Sequence, residues 1–150
     1  MTNVLLVLHV LAAIVAVGPV TVAASMFPAA ARRAVAAPAD GRSTAELRTL
    51  HRICRVYAAV GIAVPVFGFA TAGSMHVTGD PWVVVSIALT ALAAAVLALL
   101  VLPRQRTILS TVDRGGGAGR ALAMYTGLFN LLWATVTVLM IVRPGSTTGA

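Results

Sequence analysis

Charged side chains are scarce in this chain of 150 residues, and lysine is missing altogether. Only 10% of the residues are charged and 59% are hydrophobic, with a mean hydropathy of +0.96. Soluble domains carry about 25% charged and about 45–50% apolar residues. So little charge cannot cover a water-facing surface, which excludes a soluble enzyme domain, and the apolar content excludes an intrinsically disordered chain. The composition predicts a small integral membrane protein, and no catalytic site follows from it.

All eleven basic residues are arginine, and alanine, valine and glycine are in excess. Together these features indicate GC-rich, bacterial codon usage. The net charge of +7 and the pI of 11.6 would suit a nucleic-acid partner. No folded nucleic-acid-binding module accompanies the charge, so no such partner is expected. The single cysteine, Cys54, excludes an intramolecular disulfide and matches no metal motif.

Four apolar stretches contain no Asp, Glu, Lys or Arg, and they lie at 4–27, 56–74, 82–102 and 121–142. An α-helix needs roughly 20 such residues to cross a bilayer. The runs are continuous and alanine-rich rather than alternating, which favours helices over the strands of a barrel. The sequence therefore predicts an all-α fold, a single domain built as a four-helix transmembrane bundle.

The distribution of arginine predicts how the bundle is oriented. Six arginines lie in the loop 28–55 and four in the loop 103–120, and the remaining one is Arg143. Cytoplasmic loops of membrane proteins carry an excess of basic residues. We therefore expect both loops in the cytoplasm, both termini and the short loop 75–81 outside, and a multi-pass protein of the bacterial inner membrane.

The first of these loops carries an amphipathic pattern. Ser43 and Glu46 fit a capping box, which predicts that a helix starts there. On one face of that helix we expect three basic residues lying on the anionic inner leaflet, namely Arg48, Arg52 and Arg55. The segment 29–41 is predicted as a linker, and the glycine-rich segment 115–119 as a flexible hinge.

His9 is the residue of the first span that titrates near neutral pH, and a polar group at that depth needs a partner. One interpretation is a haem or copper ligand, with His76 and Met75 of the outer loop completing a metal site because imidazole and thioether suit copper. The other is a hydrogen bond to a neighbouring helix. Small residues beside His9 favour close helix contact, so the expectation is the hydrogen bond and no cofactor.

Other polar side chains fall within the spans. Together with His9 they form a possible intramembrane polar site, whose remaining members are Asn130, Ser86, Thr90 and Thr137. Such residues hydrogen-bond between helices or line a polar substrate path, and the first interpretation is preferred.

Small residues form one face in each of the first two spans, which predicts tight packing of the first helix on the second. These faces consist of Ala12, Ala16, Pro19 and Ala23, and of Gly61, Pro65, Gly68 and Ala72. Pro19 and Pro65 are each expected to kink their helix.

Five segments resemble a family of small bacterial four-helix membrane proteins grouped as a domain of unknown function. They are LHVLAA from Leu8, GPVTVAAS from Gly18, LHRI from Leu50, LPRQR from Leu102 and VRPGSTTG from Val142. The resemblance spans most of the chain and implies the four-helix topology without an activity. The opening helix is also distantly similar to copper-resistance and haem-related membrane proteins, over the first span only.

These observations lead to one expected function and two alternatives. The expected function is a non-catalytic accessory or structural subunit of a larger membrane complex, whose partner is another membrane protein or a second copy of the chain. The first alternative is a haem- or copper-binding membrane protein that uses His9. The second is a small transporter that acts as an oligomer.

Overall fold

The structure, a computed structural model, describes residues 2–37, 39, 41–112 and 120–145. The described residues form six α-helices and no strand: α1 (Thr2–Ala36), α2 (Gly41–Val60), α3 (Ala63–Ser74), α4 (Pro81–Ala95), α5 (Leu102–Thr111) and α6 (Arg120–Val142). A π-helical segment, Val96–Val101, joins α4 to α5. Among these residues, four helical stretches are long and apolar enough to cross a membrane, namely α1, α2 with α3, α4 with α5, and α6. The predicted all-α fold, with four helical stretches long and apolar enough to span a membrane, is confirmed.

Three of the four stretches extend well beyond the apolar runs that predicted them. The 35 residues of α1 extend about 52 Å at 1.5 Å per residue, against a bilayer core of about 30 Å. The linker predicted at 29–41 is helical as far as Ala36, and the loop predicted from residue 103 starts with α5. The hinge predicted at 115–119 lies outside the described residues. The arginine-rich end of the bundle, formed by residues 28–55 and 103–120, is therefore largely helical in its described part.

The start of α2 differs from the predicted capping box. The helix begins at Gly41, so Ser43 lies within its first turn and is not the N-cap. Glu46 instead accepts a hydrogen bond from Arg33 across the α1–α2 pair, with Nη2 and Oε1 2.7 Å apart. This contact joins the two helices near the end of their hairpin.

Pro65 explains why the second span is broken into two helices. Proline has no amide hydrogen to donate to the carbonyl four residues earlier, and its ring clashes with that carbonyl. The carbonyl here belongs to Gly61, and α2 gives way to a turn at Gly61 and Ile62. Val64 N donates to Gly61 O at 3.1 Å, an i→i+3 bond that tightens the chain before α3 continues.

Prolines in the other spans have different effects. Pro103 is separated from the π-helical segment by one residue, Leu102, whose amide donates to Leu97 O, five residues back. The wider turn accommodates a proline that cannot continue the regular bonding pattern. Pro19 and Pro28 lie inside α1, which remains one continuous helix through both.

Small side chains bring α1 and α2 close together. Ala30 and Ala31 of α1 are completely buried, as are Leu47 and Cys54 of α2. The same buried cluster includes Val101, Ile108 and Val112 from the third stretch and Leu122 and Phe129 from α6. The buried core of the spans thus continues into the arginine-rich end. The expected tight packing of α1 on the second stretch is confirmed along α2 and α3.

Candidate functional site

His9 lies buried between α1 and α3, with only 8% of its surface exposed. Its Nδ1 is 3.0 Å from the carbonyl oxygen of Val64, the kind of partner expected from the sequence. Because a carbonyl can only accept, Nδ1 carries the proton. Gly68, one turn further along α3, makes room for the ring: a Cβ built there would lie 3.0 Å from His9 Cε1.

The residues of the loop 75–81 that were predicted as metal ligands with His9 belong to a different level of the bundle. Met75 is seven residues beyond Gly68, about 10 Å along the helix axis, and His76 follows it. Within the part of the chain that the structure describes, no group of three or more His, Cys, Asp or Glu side chains is placed to hold a metal ion.

His76 has a local structural role, which is to end α3. Its φ of +58° lies in the left-handed region, where glycine is the usual residue. His76 N donates to Gly73 O at 3.2 Å, and Val77 N donates to Ala72 O at 3.1 Å. These two bonds form a Schellman motif, which satisfies carbonyls that the helix end leaves without partners.

Asn130 joins α6 to α1. Its Nδ2 donates to Ser25 Oγ at 3.0 Å. Its Oδ1 is buried and has no hydrogen-bond partner, and the same holds for Oγ1 of Thr126, one turn earlier on the same face. Ser25 is sixteen residues from His9, about 24 Å along α1. The predicted polar site is therefore not a single cluster, because His9 and Asn130 lie at different depths.

Among the remaining members of the predicted polar site, Ser86 and Thr137 form hydrogen bonds within their own helices. Ser86 is 1% exposed, and its hydroxyl donates to Trp82 O at 2.7 Å. The Thr137 hydroxyl donates to Trp133 O at 2.9 Å on an exposed face of α6. Thr90 is half-buried on α4. Bonds of this kind satisfy the hydroxyl within its own helix, so Ser86 and Thr137 do not form the interhelical bonds that the sequence interpretation preferred.

A buried polar cluster between α2 and α5 escaped prediction. His51 Nδ1 lies 2.9 Å from Gln105 Oε1, and Gln105 Nε2 lies 3.5 Å from Cys54 Sγ. Gln105 and Cys54 are completely buried, and His51 is 8% exposed. Gln105 stands between two arginines in a segment predicted as a loop, so only its position on a helix would have revealed the cluster.

An open groove of about 530 Å³ lies beside this cluster. One wall comes from α2, and the other includes Leu109 of α5. The residues of α2 that line it are Arg48, His51, Arg52, Arg55, Val56 and Ala59. The three arginines predicted to face lipid are exposed and share this one surface.

The end of the bundle opposite the arginine-rich end is tied together through Trp82. Its indole Nε1 donates to Asp80 Oδ2 at 3.1 Å. The guanidinium carbon of Arg143 lies 5.7 Å from the centre of its ring, a cation–π contact. The short loop and the end of α6 therefore meet at this edge.

The described chain has the helices of a multi-pass membrane protein. Comparison with protein-family models, with curated proteins and with solved structures finds no match to the chain. The family resemblances inferred from the sequence therefore stay predictions.

Proposed function

We propose that this protein is a non-catalytic accessory or structural subunit of a larger membrane assembly. The observation that carries the proposal is the 3.0 Å contact between His9 Nδ1 and the Val64 carbonyl oxygen. Through this contact the His9 side chain holds α1 against α3. Asn130 of α6 likewise donates across to Ser25 of α1. Polar groups at membrane depth that serve packing favour a structural role.

The proposed location is the bacterial inner membrane, with both termini outside. Arginines from the end of α1, from α2, from α5 and from the start of α6 gather at one end of the bundle, and Arg143 stands at the other. That asymmetry supports a cytoplasmic position for the arginine-rich end, beside the anionic inner leaflet.

The spans offer broad apolar surfaces to a protein partner or to lipid. Ile62, which lies just before α3, is 66% exposed, and Val66 within α3 is 59% exposed. On α6, Leu131 and Ile141 are 65% and 75% exposed. A subunit of an assembly covers one such surface with a neighbouring protein, whereas an isolated bundle presents all of them to lipid.

Photo-crosslinking distinguishes these cases. A photo-crosslinking amino acid is introduced singly at Val66, Leu131 or Ile141 in the full chain, expressed at native abundance. We expect at least one position to give a discrete protein adduct. The control is Leu122, which is 1% exposed and should crosslink only within the chain. Lipid adducts alone from every exposed position, with the protein migrating as a monomer, would overturn the proposal.

The visible spectrum of the same preparation tests the alternative at His9. A haem protein has a Soret band, and a copper protein retains the metal in stoichiometric amount. We expect neither. His9 packs against Gly68 with only 8% of its surface exposed, which leaves little room for a porphyrin beside the ring, and the described residues bring no group of three or more His, Cys, Asp or Glu side chains together to hold a metal ion. A Soret band that disappears in His9→Ala would replace the subunit role with a redox role.

A further inference from the structure

We propose that the groove between α2 and α5 binds one molecule of anionic phospholipid. The three arginines of the groove would hold the phosphate of the headgroup. Val56 and Ala59 would contact the first part of an acyl chain. The inference goes beyond the proposed subunit role and does not depend on it.

The charged half of the groove is suited to a phosphate. Arg48, Arg52 and Arg55 stand at i, i+4 and i+7, so they share one helix face, and all three are exposed. Glu46, the nearby carboxylate on α2, is already paired with Arg33 at 2.7 Å. Among the described residues, no carboxylate forms an ion pair with the three groove arginines. Guanidinium groups bind phosphate oxygens through paired N–H donors, which an unpaired cluster leaves available.

The apolar half indicates a lipid rather than a soluble phosphate compound. Val56 and Ala59 follow the arginines along α2 toward α3, and Val56 begins the stretch that contains no charged residue. From Arg48 to Ala59 the groove runs about 16 Å along the helix. A phospholipid has the same order of chemistry, with phosphate at the interface and hydrocarbon below it. Basic pockets between helices on the cytoplasmic side of a membrane bind anionic headgroups in this way.

The wall behind the arginines is fixed by the buried cluster. Gln105 Oε1 can only accept, so His51 donates through Nδ1 at 2.9 Å. Nε2 is then the ring nitrogen left for a ligand in the groove, which His51 lines. Gln105 also contacts Cys54, so α2 and α5 are held at a set spacing before any lipid arrives. A preorganised site loses less freedom on binding than a flexible one.

Native mass spectrometry of the whole protein, released from micelles containing a defined lipid, tests the inference. The probes are phosphatidylglycerol as the anionic lipid and phosphatidylcholine as the zwitterionic one. We expect one retained molecule of phosphatidylglycerol and weaker retention of phosphatidylcholine. The triple variant R48Q/R52Q/R55Q should lose phosphatidylglycerol retention by about tenfold or more, because each nearby basic residue strengthens anionic lipid binding.

A matched variant separates a defined site from general attraction. The variant R32Q/R104Q/R106Q also removes three exposed arginines from the same end of the bundle. Its net charge is therefore equal to that of R48Q/R52Q/R55Q. It should retain the lipid to within about twofold, as expected for charges outside the site. An equal loss in both triple variants would overturn the site and leave only diffuse attraction. Equal retention of the two lipids by the unaltered protein would overturn it as well.

The apolar half is tested by filling it. Ala59→Trp should weaken retention several-fold, whereas Ala70→Trp, the same change at an exposed position of α3, should not. Glycerol phosphate, which lacks acyl chains, should fail to displace the lipid at equal concentration. Displacement by it would assign the arginines to a soluble phosphate compound and overturn the lipid assignment.

Discussion

The ring of His9 lies so close to Gly68 that a Cβ at that position would come within 3.0 Å of Cε1 and 3.3 Å of Nδ1. The glycine is therefore needed because of its neighbour on α1, independently of its backbone angles. The same approach places Nδ1 at 3.0 Å from the Val64 carbonyl oxygen. The contact between α1 and α3 thus depends on one imidazole and on the missing side chain opposite it.

Gly68→Ala should lower the free energy of unfolding by about 1–3 kcal/mol, the usual cost of adding a methyl group to a packed contact. Thermal unfolding in detergent, followed by intrinsic fluorescence, measures it. The control is Gly73→Ala on the same helix, where a Cβ meets nothing within 4 Å. That variant should be unchanged or gain up to about 1 kcal/mol, because alanine favours a helix over glycine.

The double variant of His9→Ala with Gly68→Ala shows whether the clash is with the ring. Removing the imidazole creates space for the methyl group, so the second substitution should cost much less in the His9→Ala background. An equal cost in both backgrounds would mean that Gly68 is required for another reason.

His9→Gln should retain most of the stability, since an amide can still donate to the Val64 carbonyl. His9→Leu removes the donor and should cost more, by about 0.6 kcal/mol and at most about 1.7, the range of single interhelical hydrogen bonds in membranes. The measurement is the same unfolding experiment. Equal stability of the two variants would contradict a hydrogen-bonding role.

His76→Gly should raise the stability of the protein by up to about 1 kcal/mol. The residue ends α3 at φ +58°, which costs little for glycine and more for any residue with a Cβ. His76→Ala is the control, because it removes the imidazole but keeps the Cβ, and it should give no gain. A gain of equal size from alanine would show that the imidazole, and not the backbone, causes the strain.

The need for a partner at His9 followed from the sequence, but the identity of the partner did not. Any residue has a carbonyl, so no residue type pointed to Val64, and only the pairing of α1 with α3 selects it. Gln105 was overlooked for a related reason. Its neighbours Arg104 and Arg106 predicted a solvated loop, whereas α5 turns the amide inward between two exposed arginines.

The effects of the prolines on their helices could be predicted from the sequence only in part. Pro65 was expected to disturb the second span, and the break indeed falls at Gly61 and Ile62, where the lost bond would have been. Pro19 was expected to kink α1. The helix continues through it without a break, and the kink itself stays a prediction. The predicted end of the third span at Leu102 is instead the start of α5, preceded by a π-helical segment. Which adjustment a proline causes depends on the packing around it, which the sequence does not show.

The orientation can be tested with a reporter enzyme that is active only outside the cytoplasm. Fused after Gly149 it should be active, and inserted at Gly116 it should be silent, because ten of the eleven arginines lie in the two loops predicted to be cytoplasmic. An expression-matched fusion to a cytoplasmic reporter gives the complementary signal and serves as the control. The reverse pattern would invert the topology and move the lipid groove to the outer leaflet.

The bond between His51 and Gln105 should behave as a pair. Both side chains are buried, so removing one leaves the other without its partner. His51→Leu and Gln105→Leu should each lower the free energy of unfolding by about 1–3 kcal/mol, the cost of an unsatisfied buried polar group. The double variant replaces both partners with apolar groups and should cost clearly less than the sum of the single changes. Additive losses would show that each residue stabilises the bundle by apolar packing, and that the 2.9 Å contact contributes nothing of its own.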